Sequence, residues 1–356
     1  PRNEPVLGYV PGSPERAALR ERIAALGAER IDLPCVIAGE QVRSGDTAPV
    51  VVPHRHAQVL GDTHAAGVKE LDRAVEAAAR AWKDWSRAPW EERAAVFLRA
   101  AELLAGPWRQ TLNAATVLGQ SKTAHQAEID AACELIDFWR FNVEFMLRMY
   151  QEQPLASPGQ WNRLEYRPLE GFVLAVTPFN FTSIAGNLPT APALLGNTVI
   201  WKPAHTGAFA AHFLMELLQA AGLPPGVINL VHGDGARIAA DLLPRRHLAG
   251  VHFTGSTGVF NGMWQTVAQN LAGYRNYPHL VGETGGKDFV LVHPSADVDA
   301  VVAGVVRGAF EYQGQKCSAA SRLYAPRSLW PALKERLCAE AAAIRVGDPA
   351  EPGTFM

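Results

Sequence analysis

Apolar and polar residues follow three regimes along the chain. From Val68 to Tyr150 the apolar positions recur at helical spacing: Leu71, Val75, Ala78 and Trp82, then Val96, Leu103 and Leu104. A longer helical run is predicted from Thr123 to about Tyr150, with Ile129, Ile136 and Phe145 on its apolar side. From Gly171 to Trp201 no residue is charged. Pro178, Pro189 and Pro192, with three glycines and three asparagines, interrupt that stretch more densely than a membrane helix would tolerate. It reads instead as buried strand, irregular loop, buried helix, buried strand. Residues 1–60 mix turn signals with short apolar runs and give no clear motif. Gln151 to Arg167 holds Pro154 and Pro158, then an alternating run, and reads as an arm or hairpin.

Beyond Gly171 apolar strand-like runs alternate with helical ones. The predicted strands are Phe172–Val176, Thr198–Lys202, Val227–Val231, Val251–Phe253, His279–Gly282 and Phe289–Val292. The predicted helices lie at about Ser183–Leu195, Gly207–Ala221, Ala236–Leu242 and Val259–Leu271. Alternation of β and α with short connections implies an α/β fold, a Rossmann-like doubly wound parallel sheet. After Asp297 a helix, a turn around Gly314, a strand near Arg322–Ala325 and another helix read as the start of a second α/β unit. The expected organisation is therefore 1–150 as an N-terminal segment and helices packing on a cofactor domain, 151–170 as an oligomerisation arm, 171–283 as the nucleotide-binding domain, and 284–356 as the beginning of a catalytic domain.

Composition narrows the function without choosing it. The chain has 356 residues, 33 Lys+Arg against 35 Asp+Glu, and 19% charged residues. That length fits two domains or three, with a large core that needs no disulfides. A net charge of −2 with no basic run argues against nucleic acid or an anionic membrane as the main partner. Four scattered cysteines, Cys35, Cys133, Cys317 and Cys338, form neither a disulfide framework nor a C-x-x-C metal site; no metal is expected. They suit a reducing compartment. The Ala- and Arg-rich composition suggests a bacterial cytoplasmic location, with the mitochondrial matrix as the alternative.

Four short segments carry candidate chemistry. Cys317, in Gly314-Gln315-Lys316-Cys317-Ser318, sits on a glycine-containing turn beside a lysine, where a thiol is reachable and its pKa can be lowered. Glu283 ends an apolar strand in front of Gly285 and Gly286, a place where desolvation would raise a carboxyl toward the range of a general base. Asn180, in Thr177-Pro178-Phe179-Asn180-Phe181, follows a strand end, where an amide N–H can meet a developing oxyanion. The turn Gly255-Ser256-Thr257-Gly258-Val259 runs from a strand into a helix whose free N–H groups suit a pyrophosphate. Lys202, at another strand end, is within reach of ribose hydroxyls. Each alone has an ordinary structural alternative, respectively a buried inert thiol, a surface turn, a satisfied turn amide, an N-cap and a strand terminus. Gly282–Asp288 also resembles a phosphate loop, but its spacing and Asp288 break that pattern.

Order and spacing together make the set specific. The chain resembles the aldehyde dehydrogenase superfamily, in which an Asn-containing turn, a Lys-Pro pair, a Gly-Ser-Thr turn, a Glu-x-Gly-Gly-Lys segment and a catalytic Cys follow in this order. More narrowly it resembles the delta-1-pyrroline-5-carboxylate dehydrogenase branch. The residues that carry this are Pro178-Phe179-Asn180-Phe181, Gly196-Asn197 before Trp201-Lys202-Pro203, Phe260 where a second glycine would stand, and Phe310-Glu311-Tyr312 running into Gly314-Gln315-Lys316-Cys317-Ser318-Ala319. The likeness extends from Asn3-Glu4-Pro5-Val6-Leu7 to Met356, where the family continues for roughly its final third.

The resemblance implies oxidation of L-glutamate γ-semialdehyde to glutamate with NAD, in proline degradation. Cys317 would be the nucleophile, Glu283 the base that activates water, and Asn180 with the Cys317 amide the oxyanion site. Thr177, Pro178, Phe179, Lys202, Gly255, Ser256, Thr257, Gly258 and Val259 would hold NAD. His205 stands where many NAD-dependent relatives carry a Glu, so the NAD preference rests on the branch. Ser318, Phe181 and Glu128 are candidates for contacting substrate, Glu128 at its ammonium group. A homo-oligomer and a proline dehydrogenase are the partners the resemblance suggests. Two other readings are a thiol hydrolase using Cys317 with a histidine base, and a non-catalytic or incomplete fragment with weak activity or none.

Overall fold

The computed structural model describes residues 1–356. The first sixty residues hold most of what the pattern did not predict. Helix α1 (Pro14–Ala28) is capped by Ser13, whose hydroxyl accepts the Arg16 N–H, with Pro14 at the first helical position. Five strands follow: β1 (Ile31–Leu33), β2 (Cys35–Ile37), β3 (Glu40–Val42), β4 (Thr47–Val52) and β5 (Arg55–His64). Strands of three residues are too short to display an alternation, so their sequence carries no period to read.

Four helices come next, α2 (Val68–Trp85), α3 (Trp90–Ala105), α4 (Arg109–Gln120) and the single turn α5 (Ala124–Ala127). A π-helical turn, Glu128–Cys133, joins α5 to α6 (Glu134–Gln151). This turn explains a failure of the predicted apolar stripe. Ile136 is buried, whereas Ile129 and Phe145 are exposed. The π turn shifts the register at Ile129, and Phe145 lies nine residues past Ile136, half a turn round the helix.

The remaining elements match the predicted alternation within a few residues. They are β6 (Phe172–Thr177), α7 (Thr182–Leu194), β7 (Thr198–Pro203), α8 (Ala208–Ala220), β8 (Ile228–Leu230), α9 (Gly235–Leu242), β9 (Leu248–Gly255), α10 (Thr257–Gln269) and β10 (His279–Thr284). The chain then forms β11 (Asp288–Leu291), α11 (Val298–Phe310), β12 (Ala320–Tyr324) and α12 (Trp330–Ala343), with β11 and β12 paired in parallel. The uncharged stretch is β6, α7 and β7. In β6, Phe172 and Leu174 enter one apolar core while Val173 and Ala175 enter the other, which is why the run has no polar face.

The main sheet has the order β10-β9-β6-β7-β8-β2-β3. Its first five strands are parallel, and β2 adds antiparallel to β8 and to β3. The nucleotide-binding sheet is thus not confined to residues 171–283, since β2 and β3 complete one edge. From β6 the chain winds outward through β7 and β8, then crosses back so that β9 lies on the other side of β6. The strand order reverses between β6 and β9, where a doubly wound sheet opens a crevice at the strand carboxyl ends. Thr177 and Gly255 end those two strands.

The expected hairpin at 151–170 contains no strand. Its two legs are tied instead by side chains, with Gln153 Oε1 accepting the Leu164 N–H at 2.9 Å and the Tyr166 hydroxyl donating to the Glu152 carbonyl at 3.1 Å. Leu155 and Trp161 are 94% and 80% exposed, so the alternating residues lack a sheet to join.

Glu128 departs from its sequence reading as a substrate contact. It is neither a solvated helix carboxylate nor open to a ligand. It is fully buried in the π turn and accepts from the Leu7 N–H, the Tyr9 hydroxyl and the Asn113 amide, each at 2.8 Å, and from Arg109. Burial alone would raise its pKa, but Arg109, the Leu7 N–H and the Tyr9 hydroxyl outweigh that and hold it below the usual carboxylate range. The carboxylate fastens the N-terminal segment to α4. Glu128→Ala removes one of the two carboxylates paired with Arg109 and leaves the Leu7, Tyr9 and Asn113 donors without their acceptor. It should cost about 3–5 kcal/mol, read as a lowered urea midpoint with the slope unchanged.

Candidate active site

The turn from Glu283 to Lys287 is where the sequence-predicted pieces meet. On one side the Gly285 N–H donates to the Gly255 carbonyl at 3.3 Å, and a Cβ on Gly285 would come within 3.4 Å of the Thr257 hydroxyl. On the other, Gly286 lies directly against the backbone of Cys317, so that a Cβ there would overlap the Cys317 carbonyl. Two glycines therefore let one turn pass between the start of α10 and the thiol. Phe260 closes the same region from below, its ring packed on Gly282, which explains why a bulky residue is tolerated where the helix opens.

Cys317 lies in a turn between Gly314 and β12 and is partly exposed. The chain reaches it through three consecutive left-handed residues, Tyr312, Gln313 and Gly314. Only the last is a glycine, and each of the others carries strain of about 1–3 kcal/mol. Cys35 and Cys133 are buried, and burial pushes the Cys35 thiol up to about 11 and the Cys133 thiol higher still. Cys317 and the α12 residue Cys338 are left as the accessible thiols.

Asn180 is brought to the same loop. Its Nδ2 donates to the Gln315 carbonyl at 2.7 Å, two residues before the thiol, and the second N–H of the amide is left over. Glu283 differs from expectation. It is exposed near the end of β10, the strand at one edge of the sheet, rather than desolvated. Lys316 differs as well. Its ammonium turns inward to Asp130 Oδ2 at 2.9 Å and Glu311 Oε2 at 3.6 Å, so its charge is matched there instead of being offered to the thiol.

The crevice residues form a second group. Ser256 caps α10 by accepting the Val259 N–H at 3.4 Å, leaving the amides of Thr257 and Gly258 without intrahelical partners. Space around Gly258 is open and Val259 is exposed. Lys202 Nζ lies beside Gly235 at the start of α9, and a Cβ at Gly235 would sit 3.2 Å from it. Burial lowers the Lys202 pKa, with Asp234 opposing. Thr177 is buried, and its hydroxyl accepts from the Trp201 indole at 3.0 Å. Pro178 continues the same strand end. Phe179 points elsewhere, into a cavity of about 440 Å³ beside Gln120, Ser121, Tyr312 and Gln315. His205 is held by the Pro49 carbonyl at 3.0 Å.

Of the remaining candidates, Ser318 is exposed beside Cys317 and Phe181 is buried at the start of α7. The Phe181 ring faces two ammonium groups, Lys122 Nζ at 4.3 Å and Lys316 Nζ at 5.6 Å from its centroid. Lys122 was missed from sequence. It is fully buried, 2.7 Å from Asp130 Oδ2, and burial pushes its pKa down to about 8 against the pull of Asp130. Glu134, also missed, accepts from the Ser183 hydroxyl, and burial raises its carboxyl. The available signal was Asp130 and Glu134 four residues apart on one helix face, a pairing easily taken for a solvated side.

Two outcomes follow. Gly286→Ala should displace the Cys317 turn and lower any turnover by roughly 10²-fold, the cost of about 1 Å of misplacement, and it should lower the melting temperature too, because the clash is with backbone. The Lys122 pKa is lower folded than unfolded, so the unfolded chain binds more protons between about pH 8 and the free lysine value, and stability rises with pH across that window. Lys122→Met should remove that rise, seen as a flatter profile of melting temperature against pH.

Comparison with known proteins agrees with this geometry. The mitochondrial delta-1-pyrroline-5-carboxylate dehydrogenase of Mus musculus is 49% identical over 99% of this chain and 63% of its own length. That of Agaricus bisporus is 48% identical over 99% of this chain and 65% of its own. The crystal structure of the Mycobacterium tuberculosis delta-pyrroline-5-carboxylate dehydrogenase bound with NAD superposes with a TM-score of 0.97 at 57% identity, covering 100% of this chain and 66% of that one. Proline utilization A from Bdellovibrio bacteriovorus gives 0.91 at 30% identity, covering 37% of its length. The sequence thus spans 63–66% of the delta-1-pyrroline-5-carboxylate dehydrogenases named here, and a smaller share of proline utilization A. The family model described as "Aldehyde dehydrogenase family" matches residues 41–356, and with the turn that joins the crevice to Cys317 this establishes that the chain belongs to the aldehyde dehydrogenase family.

Proposed function

We propose that this protein oxidises L-glutamate γ-semialdehyde, the open form of pyrroline-5-carboxylate, to glutamate with NAD. The observation that carries the proposal is the Gly285-Gly286 turn, in contact with the start of α10 on one side and Cys317 on the other. The names of the relatives support the substrate, and the NAD-bound neighbour supports the cofactor.

The residues fit a dinucleotide. Gly235 leaves open the space beside Lys202 that a Cβ would fill, and the first-turn amides of α10 are free beside Gly258. Lys202 would hold a ribose, Ser256 through Val259 a pyrophosphate, and the Thr177-Pro178 strand end the nicotinamide half. Bound there, NAD supplies a hydride acceptor. Everything else falls to the protein. The Cys317 thiolate adds to the aldehyde carbon, turning an electron-poor carbonyl into an adduct able to lose hydride, and afterwards carries the acyl group as a thioester. The second Asn180 N–H and the Cys317 amide hold the oxyanion. Glu283 takes a proton from the water that cleaves the thioester. Ser318 and Phe181 line the substrate side.

No histidine hydrogen-bonds Cys317, which leaves the thiol-hydrolase reading without a base. Likeness to proline utilization A supports a proline-oxidising partner, and homo-oligomerisation through the exposed arm is part of the proposal. No helix is long and apolar enough to cross a membrane. A bacterial cytosolic location accords with the composition, and the eukaryotic relatives are named mitochondrial.

Absorbance of NADH with pyrroline-5-carboxylate tests the reading. Cys317→Ala should abolish the signal, and Asn180→Ala should lower it by about 10²–10³. Glu283→Gln should give a single burst of NADH followed by a stalled acyl-enzyme. Activity retained in Cys317→Ala would defeat the assignment.

A further inference from the structure

A group of buried charges behind the nucleophile turn has no part in the chemistry above. Asp130 Oδ2 accepts from Lys122 Nζ at 2.7 Å and from Lys316 Nζ at 2.9 Å. The three side chains are 5%, 0% and 15% exposed respectively. Asp130 stands on the π turn, whose extra residue turns it inward, away from the helix face that its spacing alone would give it. Two carboxylates complete the cluster, Glu311 against Lys316 and Glu134 one turn along. Each ammonium also faces the Phe181 ring, and Lys122 lies 4.7 Å from the centroid of Tyr312.

The strained path of Tyr312-Gln313-Gly314 needs such a fixture. Backbone in the left-handed region persists only where the surroundings over-determine it. Three contacts do so here: the buried Tyr312 ring on Lys122, the Gln315 carbonyl on Asn180, and Lys316 on Asp130. The last is nearest to the thiol, one residue away. It is also charge-assisted, with both partners largely removed from water.

We propose that Asp130 is a positioning residue for the nucleophile: acting through Lys316, its carboxylate fixes the turn that carries Cys317, while Lys122 balances the charge that keeps Asp130 in place. This rests on reading Cys317 as the reactive thiol, but its test needs no turnover.

Alkylation of Cys317 by iodoacetamide, followed by peptide mass spectrometry in a Cys338→Ser background, reports the turn directly. Rates across a pH series separate thiol ionisation, seen in the midpoint, from access and geometry, seen in the plateau. Lys316→Met and Asp130→Asn should each change the plateau by about threefold or more, and the double variant should do no more than the larger single, the mark of one shared interaction. Asp130→Glu should restore most of the plateau. Lys122→Met takes away the Tyr312 contact but leaves the Asp130–Lys316 pair standing, and should change the plateau less than Lys316→Met does. An unchanged plateau in Lys316→Met, or independent effects in the double variant, would overturn the proposal. If Asp130→Asn does not fold, Lys316→Met and Lys122→Met still decide it, since equal effects in both would point to a structural role alone. Failure of the parent to form NADH would count against the proposed reaction and not against this pattern of alkylation.

Discussion

Residue 286 cannot carry a side chain, and the site is arranged around that constraint. The backbone there touches the backbone of Cys317, while its neighbour Gly285 bonds back to Gly255 at the end of β9. Crevice and thiol come from strands far apart in sequence. What sets their separation is the thickness of one glycine-containing turn. Glu283 lies one residue from the end of the strand that feeds this turn, so the acid, the thiol and the start of α10 share one origin in space. A substituent at that point would not remove a functional group; it would change the distances between all of them.

Much of this was legible from sequence because the chemistry falls at strand ends, and strand ends here are marked. Thr177, Lys202, Gly255 and Glu283 each close an apolar run, and a doubly wound sheet gathers such ends on one side. The parallel strands were found because burial on both faces leaves them uncharged. The N-terminal strands β1 to β3 were not, since three residues give no period. The pairing of β2 with β8 depends on a contact across most of the chain. At 151–170 the alternating run forms no strand, and side chains tie its legs instead.

The charged residues were the hardest to place. Asp130 and Glu134 read as the wet side of one helix, yet the structure buries Asp130 and half-buries Glu134, and it also buries Glu128 and Lys122. For Asp130 and Glu134 the cause is the π turn. One extra residue rotates the helix after it, so spacing counted along the sequence assigns the wrong side. Glu128 goes to the N-terminal segment and Asp130 to the nucleophile turn. A single local irregularity thereby serves two anchoring roles a few residues apart.

The segment before α1 shows why absence of helix or strand is a poor guide to dispensability. Residues 4–9 contain no regular structure apart from a left-handed Tyr9, yet Glu4, Leu7 and Tyr9 reach Arg109 or Glu128 inside the molecule. Shortening the polypeptide by ten residues for expression would look harmless in a diagram of its elements. It would open a channel of water to a buried guanidinium and carboxylate inside the molecule.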